Sequence, residues 1–421
     1  MKPSVLLCAA AVLAAGCEDP TRPSGDDVAL VAHGNTPGAV VRVAPPTGDP
    51  ATDAANIAAA VAAATEGATI AFARGTYVLA GGTIRVSVPG VTLEGHRRGT
   101  TLRGLFHDDP ADDFFFPYFE LVGGHQRVRH LTFRDMHNPL SIGEPGTPLG
   151  GYRVEDCTFR ENSAPIVFFG FSDEVSRMTG NRFINVVVPF NIFGKTVHFR
   201  ENRITSPDPA ASPLVGQPFS AGVLLPDPVA GICEHNVLEE NTIVGNADGF
   251  LLFAFDGETC RNNVIRENTF IRLRVFTPDD NGSMVGVVGP GVERNLVEEN
   301  ELLGSEGLGI VVLAAHDNRI VDNEIRNLPG EKETFTPSPG TAIFLDEATS
   351  GNRVKENEFK KVAHTIVDLG TGNIIRDNDG DDRDRDHDDL VAPVLPRSMT
   401  RQGVRALDHP KLRFLRDHMM R

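Results

Sequence analysis

The chain has no tryptophan and is short of positive charge: 40 Lys and Arg stand against 57 acids, a net charge of −17 over 421 residues. Such a surface repels nucleic acid and anionic lipid headgroups. It also repels bare polyuronates unless a cation bridges them. Long apolar runs are missing too. Val5–Ala15 is apolar but too short to span a bilayer. The seven Met and thirteen His form no cluster with Cys, the arrangement a copper site wants. Helical periodicity is absent through the body of the chain.

What is present is one sentence repeated. It reads Asn-Val-Leu-Glu-Glu-Asn at 236–241, Asn-Val-Ile-Arg-Glu-Asn at 263–268 and Asn-Leu-Val-Glu-Glu-Asn at 295–300. It returns as Asn-Arg-Ile-Val-Asp-Asn at 318–323, Asn-Arg-Val-Lys-Glu-Asn at 352–357 and Asn-Ile-Ile-Arg-Asp-Asn at 373–378. Looser copies lie upstream, at Arg200-Glu201-Asn202, Thr179-Gly180-Asn181, Glu155-Asp156-Cys157 and Leu131. The closing positions 131, 157, 181, 202, 241, 268, 300, 323, 357 and 378 are 21 to 39 residues apart. Short apolar runs at such a period describe a solenoid. Apolar residues fall three before and two after each closing slot. Asn202, Asn241, Asn268, Asn300, Asn323, Asn357 and Asn378 are expected to turn inward at one corner and hydrogen-bond from coil to coil, because Asn tolerates the left-handed backbone of a tight corner.

This repeat resembles the right-handed parallel β-helix of the pectate lyase-like superfamily, over roughly residues 51–378. The resemblance implies an all-β fold. An Ala-rich helix after Asp53, ended by Gly67, then Gly75-Thr76-Tyr77 and Val91-Thr92-Leu93-Glu94-Gly95, is similar to the N-terminal start of many members. The helix, with Asp53 as its N-cap, covers the first coil.

Residues 1–16 read as a signal peptide. Leu13-Ala14-Ala15-Gly16-Cys17 resembles a bacterial lipobox, although Ala14 stands where Leu is commonest. It implies lipidation at Cys17 and a periplasmic or cell-surface lipoprotein, with ordinary secretion as the alternative. Residues 17–50, rich in Pro, Gly and Asp, read as a flexible tether. His107–Asp113 is an acidic loop and Phe114–Phe116 a buried cluster or a sugar platform. Residues 379–421 form an acidic low-complexity tail, whose spacing is wrong for an EF-hand, and a possible C-terminal helix over 404–420.

The long insertions share one phase: 139–151, 206–220, 277–283 and 327–340. Loops from one corner line one side of a solenoid, so that side is the expected binding face. Its aromatics are Phe219, Phe276 and Phe335. One constellation resembles polygalacturonase in order: Asn246-Ala247-Asp248-Gly249, then Asp279-Asp280, His316 and Arg353-Val354-Lys355. The catalytic candidates are therefore Asp248, Asp279, Asp280 and His316, but their phases differ, and inverting hydrolysis needs carboxylates roughly 6.5–9.5 Å apart. Glu347 and Asp368 each lie five residues before an opening Asn (352 and 373), beside Asp346. They are expected to stack one coil apart and form a candidate Ca²⁺ pair. A stripe of acids precedes the slots, Glu201, Glu240, Glu267, Glu299, Asp322, Glu356 and Asp377, balanced in part by Arg200, Arg266, Lys355 and Arg376.

Cys233 and Cys260 lie three residues before Asn236 and Asn263, one coil apart in phase, and are expected to form a disulfide. Cys157, in an Asn slot, is expected to be buried and unpaired. The signal segment implies an exported protein, and the resemblance to the pectate lyase-like superfamily implies one that binds or processes polysaccharide, as a lyase or hydrolase if it is an enzyme. A non-catalytic structural or adhesion protein is one alternative. A periplasmic metal-delivery accessory protein is another, resembled in the repeat alone.

Overall fold

The computed structural model describes residues 38–80, 82–105, 117–206, 220–246, 248–274, 282–330 and 339–380. Within them the chain winds as a right-handed parallel β-helix. Each coil crosses a first sheet, turns at the Asn slot, crosses a second sheet and then a third, and turns back. One coil runs from Val237–Glu239 through Thr242–Val244 and Asp248–Phe253 to Thr259–Arg261, and the next starts at Val264–Arg266. Each sheet takes its strands in chain order, and neighbours run parallel. The first sheet runs from Val40–Arg42 to Ile374–Arg376, the second from Gly75–Val78 to Asp379–Gly380, the third from Ile84–Val86 to His364–Asp368.

The interior follows from the spacing of apolar residues. A three-residue strand turns only its middle side chain inward. Val154, Met178, Phe199, Leu238 and Ile265, each three before a slot, are buried on the first sheet. Phe159, Phe183, Ile204, Ile243 and Phe270, two after a slot, are buried on the second. Phe133, Phe159 and Phe183 stack face to face at 5.1 and 5.0 Å between centroids. Third-sheet strands from Leu140–Ile142 to Thr341–Leu345 are buried on both faces, which explains apolar runs such as Ile310–Leu313. Val167, Phe169, Phe193, Leu251, Phe253, Val311 and Phe344 form a separate outer cluster there.

At each slot the Asn side chain closes the corner. Asn268 donates from its backbone N–H and Nδ2 to Oδ1 of Asn300, at 3.1 and 2.9 Å. Its own Oδ1 accepts the same two groups of Asn241, and its Nδ2 also reaches the Leu238 carbonyl at 2.9 Å. The chain of bonds runs Asn181, Asn202, Asn241, Asn268, Asn300, Asn323, Asn357, Asn378, and starts at the Cys157 N–H. The left-handed residue is not the Asn itself. It is the acid before it: Glu201, Glu240, Glu267, Glu299, Asp322, Glu356 and Asp377 have φ between 53° and 58°. The acidic stripe is thus also the hinge of the corner, and it meets cations such as Arg200, 2.6 Å from Glu240, and Lys355 beside Glu356. A second ladder, unforeseen, runs through the opening Asn residues 236, 263, 295, 318, 352 and 373 with bonds of 2.9–3.0 Å.

Two expectations about the N-terminal end are corrected. The tether does not extend to residue 50, because Val40–Arg42 pairs with Thr69–Ala71 as the first strand of the first sheet. Asp53 is not the N-cap. The helix spans Pro50–Ala62, is capped by Asp49, which accepts from Thr52 N–H at 2.8 Å, and begins with Pro50, whose missing N–H costs nothing there. Asp53 is fully buried in the first turn and accepts from Thr47, Gly48 and Val78 N–H, fastening the helix to the second sheet. The helix stops at Ala62, ahead of Gly67. Residues 1–37 with Cys17, His107–Phe116, Phe219, Phe276, Phe335 and the tail beyond residue 380 lie outside the described residues.

Cys233 and Cys260 face each other in register on a short fourth sheet, with Cα atoms 4.2 Å apart and their sulfurs bonded. Cys157 is buried and free, and burial pushes its thiol up to about 12. Two measurements follow. Replacing Asn268 by Leu strands donors and acceptors in a dry corner and is expected to cost about 1–3 kcal/mol in chemical denaturation; an unchanged midpoint refutes the ladder's role. A chain lacking residues 1–37 is expected to show no reactive thiol when native, one when denatured and three after reduction. Three before reduction would remove the bridge, which contributes about 3 kcal/mol on the chain-entropy view.

Candidate functional site

The polygalacturonase-like order of residues does not become a site. Asp248 starts a third-sheet strand, is 5% exposed, and accepts from the Ser283 N–H and Oγ at 2.9 and 2.8 Å, tying two coils together. His316 lies past the far end of the third sheet, bridged to Glu293 and Ser350. Arg353 and Lys355 face outward from the first sheet. Asp279 and Asp280 lie outside the described residues. Order along the chain matched, but side chains in different phases of a coil occupy different walls.

The candidate Ca²⁺ pair is also separated. Asp368 pairs in register with Leu345, two residues before Glu347. The cause is unequal turns: residues 346–351 separate Leu345 from Asn352, whereas residues 369–372 separate Asp368 from Asn373. Asp368 instead closes its own turn, accepting from Gly370 N–H at 2.9 Å and Asn373 Nδ2 at 2.8 Å. Glu347 is exposed. Asp346 is buried, accepts from Ala314 and Ala348 N–H, and burial holds its carboxyl above the ordinary range. Among the described residues no three His, Cys, Asp or Glu side chains are grouped to hold a metal.

The structure places its groove elsewhere, on the outer face of the first sheet in the N-terminal coils. Successive strands there put one outward residue in register per coil: Thr92, Arg127, Arg153, Arg177, His198, then Val237. Three arginines thus start from backbone positions stacked at about the 4.8 Å spacing of neighbouring strands. The adjacent outward row alternates in sign and pairs internally, as in Arg129 with Glu94 at 3.0 Å and Arg266 with Glu239 at 2.8 Å. Glu155 of that row takes Arg127. Arg153 and Arg177 are exposed and form no ion pair with any described residue. Burial, then the charge of Arg177, holds the His198 imidazole below its ordinary pKa.

A groove of about 420 Å³ opens over these arginines, walled by Thr92, Val175 and the turns that carry His125, Gly151 and Glu174. His125 Nδ1 lies 3.3 Å from Glu174 Oε1, and the two meet over Gly151. Gly151 has φ +71°, and a Cβ there would sit 2.6 Å from His125 Nδ1 and 2.8 Å from Glu174 Oε1. Only glycine allows both the left-handed backbone and the crossing above it. The expected insertions do not all share one phase: 139–151 contains the third-sheet strand Leu140–Ile142 and then the turn into the first sheet, so its Gly151 borders the groove, whereas 206–220, 277–283 and 327–340 fall between second-sheet and third-sheet strands. The sequence held a signal: Arg127, Arg153 and Arg177 each stand four residues before a slot (131, 157, 181), and His198 four before Asn202.

A family model described as "Right handed beta helix region" matches residues 230–379. No curated protein matches the sequence. A tailspike protein variant of E. coli bacteriophage HK620, in complex with a pentasaccharide, superposes with TM-score 0.51 at 14% identity, over 79% of this chain and 62% of its own. The chain thus spans less than two thirds of that protein's length. A variant of the periplasmic alginate epimerase AlgG gives 0.50 at 10% identity, covering 75% and 77%. A DFA-IIIase from Arthrobacter chlorophenolicus, without its lid, gives 0.51 at 14%, covering 80% and 94%. At such identities the likeness is one of fold, and the fold common to these comparisons is the right-handed parallel β-helix.

Proposed function

We propose that this protein binds polysaccharide along the first sheet, and that it does so as an exported protein anchored through Cys17. The observation that carries the reading is the groove over Arg127, Arg153 and Arg177. Its floor residues Thr92, Arg127, Arg153 and Arg177 come from four successive coils, so a ligand that touches them all must run along the solenoid, as an extended chain can. The similar structures, a pentasaccharide-bound tailspike and an alginate epimerase, support the choice of ligand by analogy of fold. Glycoside hydrolysis calls for two carboxylates flanking one bond. Among the described residues Glu174 is the one carboxylate of the groove lining, with His125 Nδ1 3.3 Å away. Binding without hydrolysis is the simpler reading.

One observation favours a second reading. Glu174 Oε1 lies 3.3 Å from His125 Nδ1, which sets a carboxylate beside an imidazole able to serve as a general base, next to cations suited to neutralise an acidic sugar. That is the equipment of an elimination, as in a polysaccharide lyase.

The test is retention of the purified protein on a panel of immobilised glycans. At least one polysaccharide is expected to retain it, and Arg153→Ala with Arg177→Ala is expected to release it while leaving the denaturation midpoint within about 0.5 kcal/mol, since both side chains are exposed. Retention unchanged by the double substitution moves the site off this wall; no retention on any glycan returns the protein to the structural class. Unsaturated sugar ends that appear with the native protein and vanish with His125→Ala identify the lyase. For the anchor, Cys17→Ser is expected to shift the protein from the membrane to the soluble fraction; unchanged fractionation refutes lipidation.

A further inference from the structure

We infer that the groove is selective for a polyanionic glycan and grips it with guanidinium groups alone, without a bridging metal ion. The inference rests on the polysaccharide reading and adds the charge class of the ligand and the means of holding it.

The argument starts from a conflict of charge. With a net charge of −17 the surface as a whole repels a polyanion. A metal ion is the usual way to reconcile two acidic partners, and it needs several oxygen ligands from the protein. Among the described residues the groove lining offers one, Glu174, and no group of three His, Cys, Asp or Glu, so the lining has no acid set to recruit a cation. What it has is the opposite sign. Arg127, Arg153 and Arg177 stand directly above one another. Like charges opposite each other on neighbouring strands are destabilising unless a counter-charge comes between them. Glu155 supplies one to Arg127, and no described residue supplies one to Arg153 or Arg177.

The geometry of that pair sets the ligand. Each guanidinium offers a planar fork that takes a carboxylate or sulfate through two parallel hydrogen bonds. Two such forks one coil apart, on the floor of an open groove, match a chain that carries one anionic group on each of successive sugars and lies parallel to the solenoid axis. A neutral glycan would leave both forks without partners. Arg319 and Arg353 are also stacked in register in this row, without ion pairs among the described residues, but they do not line the groove. They separate the effect of charge alone from that of the site.

The experiment uses the full chain, purified in detergent, and measures affinity for dextran, dextran sulfate and polygalacturonate, each with and without EDTA. Binding to at least one polyanion and not to dextran is expected. It should be unaffected by EDTA and weakened by added salt. Arg153→Gln with Arg177→Gln should weaken it at least about tenfold, and Arg319→Gln with Arg353→Gln should leave it within about twofold. The polyanion retained tells carboxylate from sulfate recognition. Loss with EDTA overturns metal-free capture. Equal loss in both double variants overturns the groove as its seat. Equal binding of neutral and anionic glycans, indifferent to the arginines, sinks the selectivity and leaves the polysaccharide reading standing; failure to bind any glycan of either charge sinks both.

Discussion

Everything in this solenoid depends on the amide that bridges one coil to the next at its corners. Along a wall, the backbone groups of a strand are satisfied by the strands above and below. At a corner the chain turns sharply and that regular pairing is interrupted, leaving buried polar groups that cost about 1–3 kcal/mol each if unmet. The Asn side chain is short enough to stay inside the corner and carries both a donor and an acceptor. Asn268 uses all of this capacity, bonding to Asn241 behind, to Asn300 ahead, and to the backbone of Leu238. The acid before it takes the left-handed backbone, a local strain of about 1–2 kcal/mol that the amide bonds offset.

With the interior defined by one inward residue per short strand, the outward positions are free to differ from wall to wall. On the third sheet they are apolar and buried. On the first sheet many are charged, and the register turns each position into a column. One column sets Glu94, Glu155 and Glu239 among Arg129, Arg200 and Arg266 and neutralises itself in large part. The next repeats arginine over three coils and does not. A site in such a fold is less a pocket assembled from distant loops than a column whose members agree in sign.

The fold was legible because the repeat writes down its own geometry. Both Asn residues of the template mark corners, and the apolar residues three before and two after the slot mark the interior; those positions are the buried ones in the structure. The functional surface was legible only in part, and the reason is phase. Asp248 and His316 follow the order of a known active site, but order along the chain says nothing about which wall a residue faces. Glu347 and Asp368 were aligned by counting back from Asn352 and Asn373, across turns that differ in length by two residues; counting from the strand, Leu345 against Asp368, is what the sheet obeys. The basic column was hidden because the upstream copies of the repeat, at Glu155–Cys157 and Thr179–Asn181, were read from a point after Arg153 and Arg177. The repeat is also loosely spelled in those coils, with Leu131 and Cys157 in place of Asn, so the sequence marks their phase less clearly.

The sameness of the coil lock has a consequence for how such a chain changes size. From Asn202 to Asn357 each slot Asn meets another Asn on both sides, so within that stretch the partner of one coil's lock is chemically interchangeable with that of another. Excising the stretch from Asn268 through Glu299 would bring the Asn241 corner against that of Asn300, and the two amides would find the groups they already use. A cut that begins and ends at different phases has no such match. Length in this protein is therefore a digital quantity, counted in turns, and the same holds for the basic column: duplicating one coil of the Arg127–Arg177 stretch adds one guanidinium, so the span of ligand the protein can hold is set by copy number rather than by reshaping a pocket.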